Sequence, residues 1–233
     1  MNLQRRKIIL SALVLPAGCS IQALKPLVSE PIASPPAMPT VRAAVVGQSW
    51  TYNRLNIYNS ELLAVEREQV AAIGPRIILK RQNDAGRVLP EEHHLAWGRM
   101  VRDPVWDFVQ NYEAPVAHWP ALLQPGASEK VNTHYLVDQF SFRFWINVTT
   151  TARTWERVRV PAGTFDALRI EKFIRIQHQD EGRNDMVRRD TVWLAPETGR
   201  WVAREIKGEY KVIGTKTHDA YETSFRWELT AWI

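Results

Sequence analysis

Apolar and polar residues alternate singly through most of the chain after residue 45, and a period of two predicts strands. Leu136, Phe140, Phe142, Phe144, Ile146 and Val148 are even-numbered, with Gln139, Ser141, Arg143 and Asn147 between them. Near the C-terminus, Tyr221, Thr223, Phe225, Trp227, Leu229, Ala231 and Ile233 alternate with Glu222, Ser224, Arg226, Glu228 and Thr230. The longest pattern spans residues 155–176 and is broken once, at Pro161-Ala162-Gly163. Pro161 pre-sets φ and Gly163 tolerates positive φ, which predicts a three-residue hairpin loop with Val160 opposite Thr164. Even-numbered residues of both arms then share a face: Val158, Val160, Leu168, Ile170, Ile174 and Ile176. The other face carries Arg157, Arg159, Arg169, Glu171 and Arg175, with Trp155, Phe165 and Phe173 among them.

The same reading places strands at 49–58, 61–73 and 76–81, with a turn at Asn83-Asp84-Ala85-Gly86. Two short strands are expected within 87–107. Residues 104–130 hold four prolines and are expected to form a mostly irregular insertion. Strands follow at 186–195 and 200–213, joined by the turn Pro196-Glu197-Thr198-Gly199, then a loop at 214–219. Long strands joined by hairpins predict an all-β domain over residues 43–233. Its expected form is a single strongly curved antiparallel sheet, half-barrel or barrel-like, with a long Pro-rich insertion.

The first 42 residues follow a different pattern. Residues 1–7 are basic, residues 8–15 are apolar but too few to span a bilayer, and Pro16-Ala17-Gly18-Cys19 follows. Small residues before a lone cysteine resemble the lipobox of bacterial lipoproteins, in which that cysteine is acylated and becomes the mature N-terminus. Pro16 departs from the usual leucine. On this resemblance residues 1–18 are a signal peptide, Cys19 carries the lipid, and Ser20 favours the outer membrane. Residues 19–42, with prolines at 26, 31, 35, 36 and 39, are expected to be an extended tether.

Composition adds little to this picture. The 233 residues are 45% hydrophobic and 24% charged, with a formal charge of +5. Loss of Arg5, Arg6 and Lys7 with the leader takes 30 basic residues to 27, against 25 acidic. So small an excess, with no dense basic run, gives no support to a nucleic-acid partner. Cys19 is the only cysteine, so no internal disulfide can form.

Val160-Pro161-Ala162-Gly163-Thr164-Phe165-Asp166-Ala167 and Trp193-Leu194-Ala195-Pro196-Glu197-Thr198-Gly199-Arg200-Trp201-Val202 resemble motifs of a family of uncharacterised exported bacterial β-rich proteins. Gly47-Gln48-Ser49-Trp50-Thr51-Tyr52 is similar to the opening of many members. The resemblance implies a curved antiparallel sheet comparable to the carriers and receptors of outer-membrane lipoprotein sorting. It brings no catalytic residue.

No nucleophile elbow, phosphate loop, dinucleotide fingerprint or zinc-protease helix motif is present. Glu91-Glu92-His93-His94 is the densest group of metal-ligand types. Neighbours in a strand point to opposite faces, so His93 and His94 are not expected to share an ion. His118, His134, His178 and His218 have no supporting spacing, and neither a metal nor another cofactor is expected. The ten tryptophans are the remaining signal. Rings beside arginines on the second face suit an amphipathic ligand, so Trp155, Phe165, Arg169, Trp193 and Trp201 are the expected binding residues. The expected function is a non-catalytic, outer-membrane-anchored periplasmic lipoprotein that binds or chaperones a lipid or glycan, or assists an envelope protein partner. A structural module with the face covered by residues 104–130, and a hydrolase of envelope polymers, are the alternatives.

Overall fold

The computed structural model describes residues 26–138, 140–212, 219–221 and 224–233. The lipobox and Cys19, and most of the loop expected at 214–219, lie outside the described residues. Fourteen strands form: β1 (Val28–Pro31), β2 (Ser49–Asn56), β3 (Leu62–Ile73), β4 (Ile77–Asn83), β5 (Val88–Ala96), β6 (Arg99–Asp103), β7 (Gln110–Ala117), β8 (Ser128–Val137), β9 (Phe144–Val160), β10 (Gly163–Ile176), β11 (Arg183–Ala195), β12 (Arg200–Val212), β13 (Asp219–Tyr221) and β14 (Phe225–Trp232). The neighbour order β9-β10-β11-β12-β14-β2-β3-β4-β5-β6-β7-β8 closes when β8 pairs with β9, giving a twelve-stranded antiparallel barrel. The curvature expected from the long strands is therefore carried to full closure of the ring. β13 pairs with residues 209–211 of β12, on the edge that β14 takes at 203–206.

The hairpin at Pro161 is one residue tighter than its composition suggests. Gly163, at φ 138°, faces Val160, so Pro161-Ala162 is a two-residue turn. A shift of one residue reverses which side chains share a face. Val158 faces Phe165, and Trp155 faces Leu168. A bulge at Arg153 then restores even-to-even pairing, with Ala152 opposite Ile170. A second bulge, at Val202, sets Trp201 opposite Leu194. These two irregularities turn Trp155 and Trp201 to the lumen side, with Leu168 and Leu194.

Residues 104–130 are mostly irregular, at 104–109 and 118–127, but they also supply wall: β7 and the start of β8 lie within them. Pro115 is accommodated because the β7 pairing to β8 covers only residues 110–112, which leaves Pro115 outside that ladder. The alternating stretch 136–148 is likewise divided, between the end of β8 and the start of β9.

The described part of the expected tether lies along the barrel as a strap. β1 pairs with residues 156–159 of β9, on the edge that β8, paired with 144–151, has left. Ile32 N donates to Trp155 O (2.9 Å), and Arg42 N to Pro196 O (2.8 Å). Leu27, Ile32, Val41 and Ala44 pack on the apolar cluster that includes Phe165 and Trp193. The strap runs so close at Gly199, φ 74°, that a Cβ there would lie 2.9 Å from Arg42 O.

A lumen of twelve strands is too wide for aliphatic side chains alone. Trp50, Tyr52, Tyr135 and Trp201 fill part of it, and two buried ion networks fill more. In the first, Arg200 bridges Glu92 (3.0 and 3.1 Å) and Glu68 (2.6 Å), while Arg81 bridges Glu68 (3.2 Å) and Glu66 (3.0 Å). In the second, Asp190 binds Arg188 (2.6 and 2.9 Å) and Arg204 (2.7 Å). Burial by itself raises the Asp190 carboxyl, but the two guanidinium groups outweigh it and hold it well below the carboxylate range.

Candidate functional site

The open concave surface lies on the outer wall, where odd-numbered residues of four long neighbouring strands face solvent. Thr149 and Thr151 (β9), Phe173 (β10), Arg189 and Thr191 (β11), and Lys207 (β12) line its centre, a hollow of about 520 Å³. The hollow continues in three directions. Towards β8 it shares Thr149 and Phe173 with a second hollow of about 520 Å³, bordered by Lys130, Trp145 and Arg175. Through Arg189 and Lys207 it meets a smaller one of about 350 Å³, bordered by Tyr58 and Tyr221. Through Glu171, Thr191 and Glu205 it meets a third of about 460 Å³, whose border includes Arg169, Trp193 and Leu27 of the strap. Together they form one branched trough.

Its chemistry is mixed, and the pairing of its charges sorts the residues. Arg153 and Arg169 both bond Glu171 (2.7 and 3.1 Å), and Arg226 bonds Glu205 (2.8 Å). Arg189 lies 4.9 Å over the Phe173 ring. Arg175 and Lys130, by contrast, make no hydrogen bond or ion pair among the described residues. They border the hollow that holds Trp145, an indole left 43% exposed. Tyr221, 68% exposed, and Tyr58 offer two more rings at another branch. Unpaired cations beside exposed rings, with threonine hydroxyls between, can bind an anionic ligand that has apolar faces.

The sequence-predicted residues meet this trough in part. Arg169 and Trp193 border it. Both are held by Glu156, which accepts the Trp193 indole N–H (2.8 Å) and an Arg169 N–H (3.2 Å). Phe165 is buried in the cluster under the strap. Trp155 and Trp201, each 2% exposed, lie on the lumen side. Trp201 stacks on Tyr52 with 3.9 Å between ring centroids. The alternative reading had residues 104–130 cover this face; over Phe165 and Trp193 the strap packs there, through Leu27, Ile32 and Val41. Trp145, Phe173, Arg175, Arg189 and Lys207 were missed as a group. Phe173 and Arg175 belong to the second face of the hairpin, but nothing in spacing shows which rings on that face stay uncovered.

Alternation assigned the histidine pair as the structure has it. His93 bonds Glu91 (3.0 Å) and is partly exposed, while His94 is fully buried and bonds Glu92 (2.7 Å). His118, which no spacing linked to them, stacks on His94 with 5.4 Å between centroids. Burial by itself raises the Glu92 carboxyl; Arg200, His118 and His94 outweigh it and keep it well below the usual range. Burial pulls His118 down to about 3, so it is neutral.

No protein-family model matches the chain, and no curated protein matches it. Among solved structures it is similar to an inferred lipoprotein from Parabacteroides distasonis, with TM-score 0.52 and 13% identity over 84% of this chain and 100% of that one. That likeness shows a shared fold. An inferred exported protein from Bacteroides fragilis, described as having a YmcC-like fold, aligns with TM-score 0.49 and 15% identity over the same shares.

Proposed function

We propose that the chain is a non-catalytic envelope lipoprotein, held at the periplasmic side of the outer membrane through Cys19, whose outer trough binds an extended acidic glycan. The observation that carries this reading is the pair of unpartnered cations, Arg175 and Lys130, beside the exposed Trp145. An indole offers the apolar face of a sugar a platform, and the cations attract its carboxylate or phosphate groups. Three branches suit an elongated ligand better than a compact one. The membrane anchor rests on the order of basic, apolar and small residues before the lone cysteine. The shared fold with an inferred lipoprotein agrees with it. In the trough, Glu171 and Glu205 are each engaged by arginine, which disfavours a hydrolase built on that pair.

The filled lumen favours a second reading, a structural module with no small ligand. Titration calorimetry separates the two. Unacylated Cys19→Ser protein would be mixed with acidic oligosaccharides, neutral oligosaccharides, or vesicles of anionic lipid. Acidic saccharides are expected to bind, with affinity falling as salt rises. Arg175→Ala with Lys130→Ala, and Trp145→Ala separately, each lower it by tenfold or more, which is about 1.4 kcal/mol. No heat with any saccharide, or binding unchanged in both variants, defeats the glycan reading. Binding to vesicles alone would transfer the trough to lipid.

A further inference from the structure

The buried trio Glu92, His94 and His118 is independent of the trough, and its geometry has a purpose that hydrogen bonding does not exhaust. Glu92 and His94 are two apart on β5, so strand alternation points both into the lumen. His118 follows the end of β7, 24 residues after His94 in sequence. It is placed there by two contacts. Its backbone N–H donates to Gly98 O (2.8 Å). The next residue, Trp119, lays its ring against Gly98, where φ is 80° and a Cβ would lie 2.5 Å from the ring. Only glycine leaves room for that approach.

One ligand atom from each residue lies within 4.8 Å of the others. His94 Nε2 is 2.7 Å, and His118 Nε2 3.6 Å, from the same Glu92 Oε1. His118 has no hydrogen-bond partner on either ring nitrogen, although it is 1% exposed. In either tautomer, therefore, one buried nitrogen lone pair has nothing to accept. With the proton on Nδ1, the Nε2 lone pair faces the Glu92 oxygen; with it on Nε2, the Nδ1 lone pair is buried without a donor; a cation between Nε2 and Oε1 engages the ring and the carboxylate together. Glu66, Glu68 and Glu92 are balanced by Arg54, Arg81 and Arg200, so an ion here is held by its donor atoms and not by an excess of negative charge. Trp97 and Trp119 close the trio off from solvent, with the Trp97 ring 5.0 Å from that of His94 and the Trp119 ring 6.0 Å from that of His118.

We propose that Glu92, His94 and His118 together bind one divalent transition-metal ion inside the barrel. Two imidazoles and a carboxylate are a donor set that suits zinc among the common biological cations, and it disfavours calcium and magnesium, which prefer oxygen. Three protein donors leave one position for water. The ion fastens the turn between β7 and β8 to β5, so metal binding adds to the stability of the fold.

The test uses untagged full-length protein, since a histidine tag would bind metal on its own. Metal content is measured by plasma mass spectrometry on the protein as purified and after chelation followed by zinc. About one zinc per chain is expected, and removing it lowers the melting temperature by several degrees, reversibly. His118→Gln should hold less than about a tenth of an equivalent, and its melting should not respond to zinc. If His118→Gln fails to fold, His94→Gln and the chelator-dependent melting of the wild type give the same answer. Wild-type protein that takes up no zinc, cobalt or nickel, or a folded His118→Gln variant that still binds an equivalent, overturns the proposal.

Discussion

Lys172 is a buried ammonium beside the Asp190 network, and its burial is poorly compensated. Its neighbours from the facing strands are Asp190, Arg204, Asp103 and Arg188, two acids against two other cations. Among the described residues it makes no hydrogen bond or ion pair. Burial pulls its ammonium down to about 8, with Asp190 opposing. The unfolded value is about 10.4. Below pH 8 both states hold the proton, and the fold bears the full cost of the buried charge. Between pH 8 and about 10.4 the unfolded chain holds more protons, so stability rises with pH. Lys172→Met should abolish that rise and stabilise the protein at pH 7 by roughly 1–3 kcal/mol, read from denaturant unfolding at pH 7 and pH 10. A variant less stable than wild type at pH 7 would show that the ammonium is attracted more strongly than burial penalises it. At this scale the sequence was partly legible. Alternation separated His93 from His94 and put Leu168, Ile170 and Ile174 inside. It failed at Trp155 and Trp201 because one extra residue in a strand, Arg153 or Val202, leaves no mark in composition yet reverses every side chain beyond it.

Whole elements were more legible than their pairing. The strands on either side of Pro161 and Gly199 lie where glycine and proline punctuate the chain. β7 was hidden because its one proline, Pro115, argues against a strand, and the short β7–β8 ladder explains how it is tolerated. The strap was hidden for the opposite reason. A proline-rich, non-periodic stretch predicts extended chain, and extended it is, but composition does not tell a free extended chain from a docked one. Leu27, Ile32 and Val41 are the side chains that dock it. A chain beginning at residue 43 should therefore be less stable than one beginning at residue 26 by about 2–4 kcal/mol, from three partly buried apolar side chains. Superimposable urea curves for the two chains would show that the strap contributes nothing to the fold.

At the level of the whole molecule, the closed ring, the filled lumen and the charged exterior fit together. A barrel that spans a membrane shows lipids an apolar band, whereas this wall turns Arg153, Glu171, Arg189, Glu205 and Lys207 outward. In the proposed function, contact with the membrane comes through Cys19 and not through the wall. Metabolic labelling with a fatty-acid analogue should mark the wild-type protein and leave Cys19→Ser unmarked; equal labelling of the two would remove the anchor. The antiparallel curved sheet was legible because it needs only alternation and turns. The trough was not, because it depends on which outer residues the strap leaves bare.

Docking of the strap changes how the anchored protein explores its surroundings. Were residues 20–42 all free, the barrel could stand some 80 Å from the lipid. With Leu27 and β1 held against the wall, only about seven peptide units separate Cys19 from Pro26, and they span at most about 25 Å. An acylated chain of this kind is leashed, not stalked. If Cys19 is acylated as proposed, it diffuses in two dimensions, with the Trp193 branch of its trough, which Pro26 and Leu27 border, at the end where the leash begins. A polymer that is itself rooted in that membrane would meet the trough at a far higher local concentration than the same polymer free in solution.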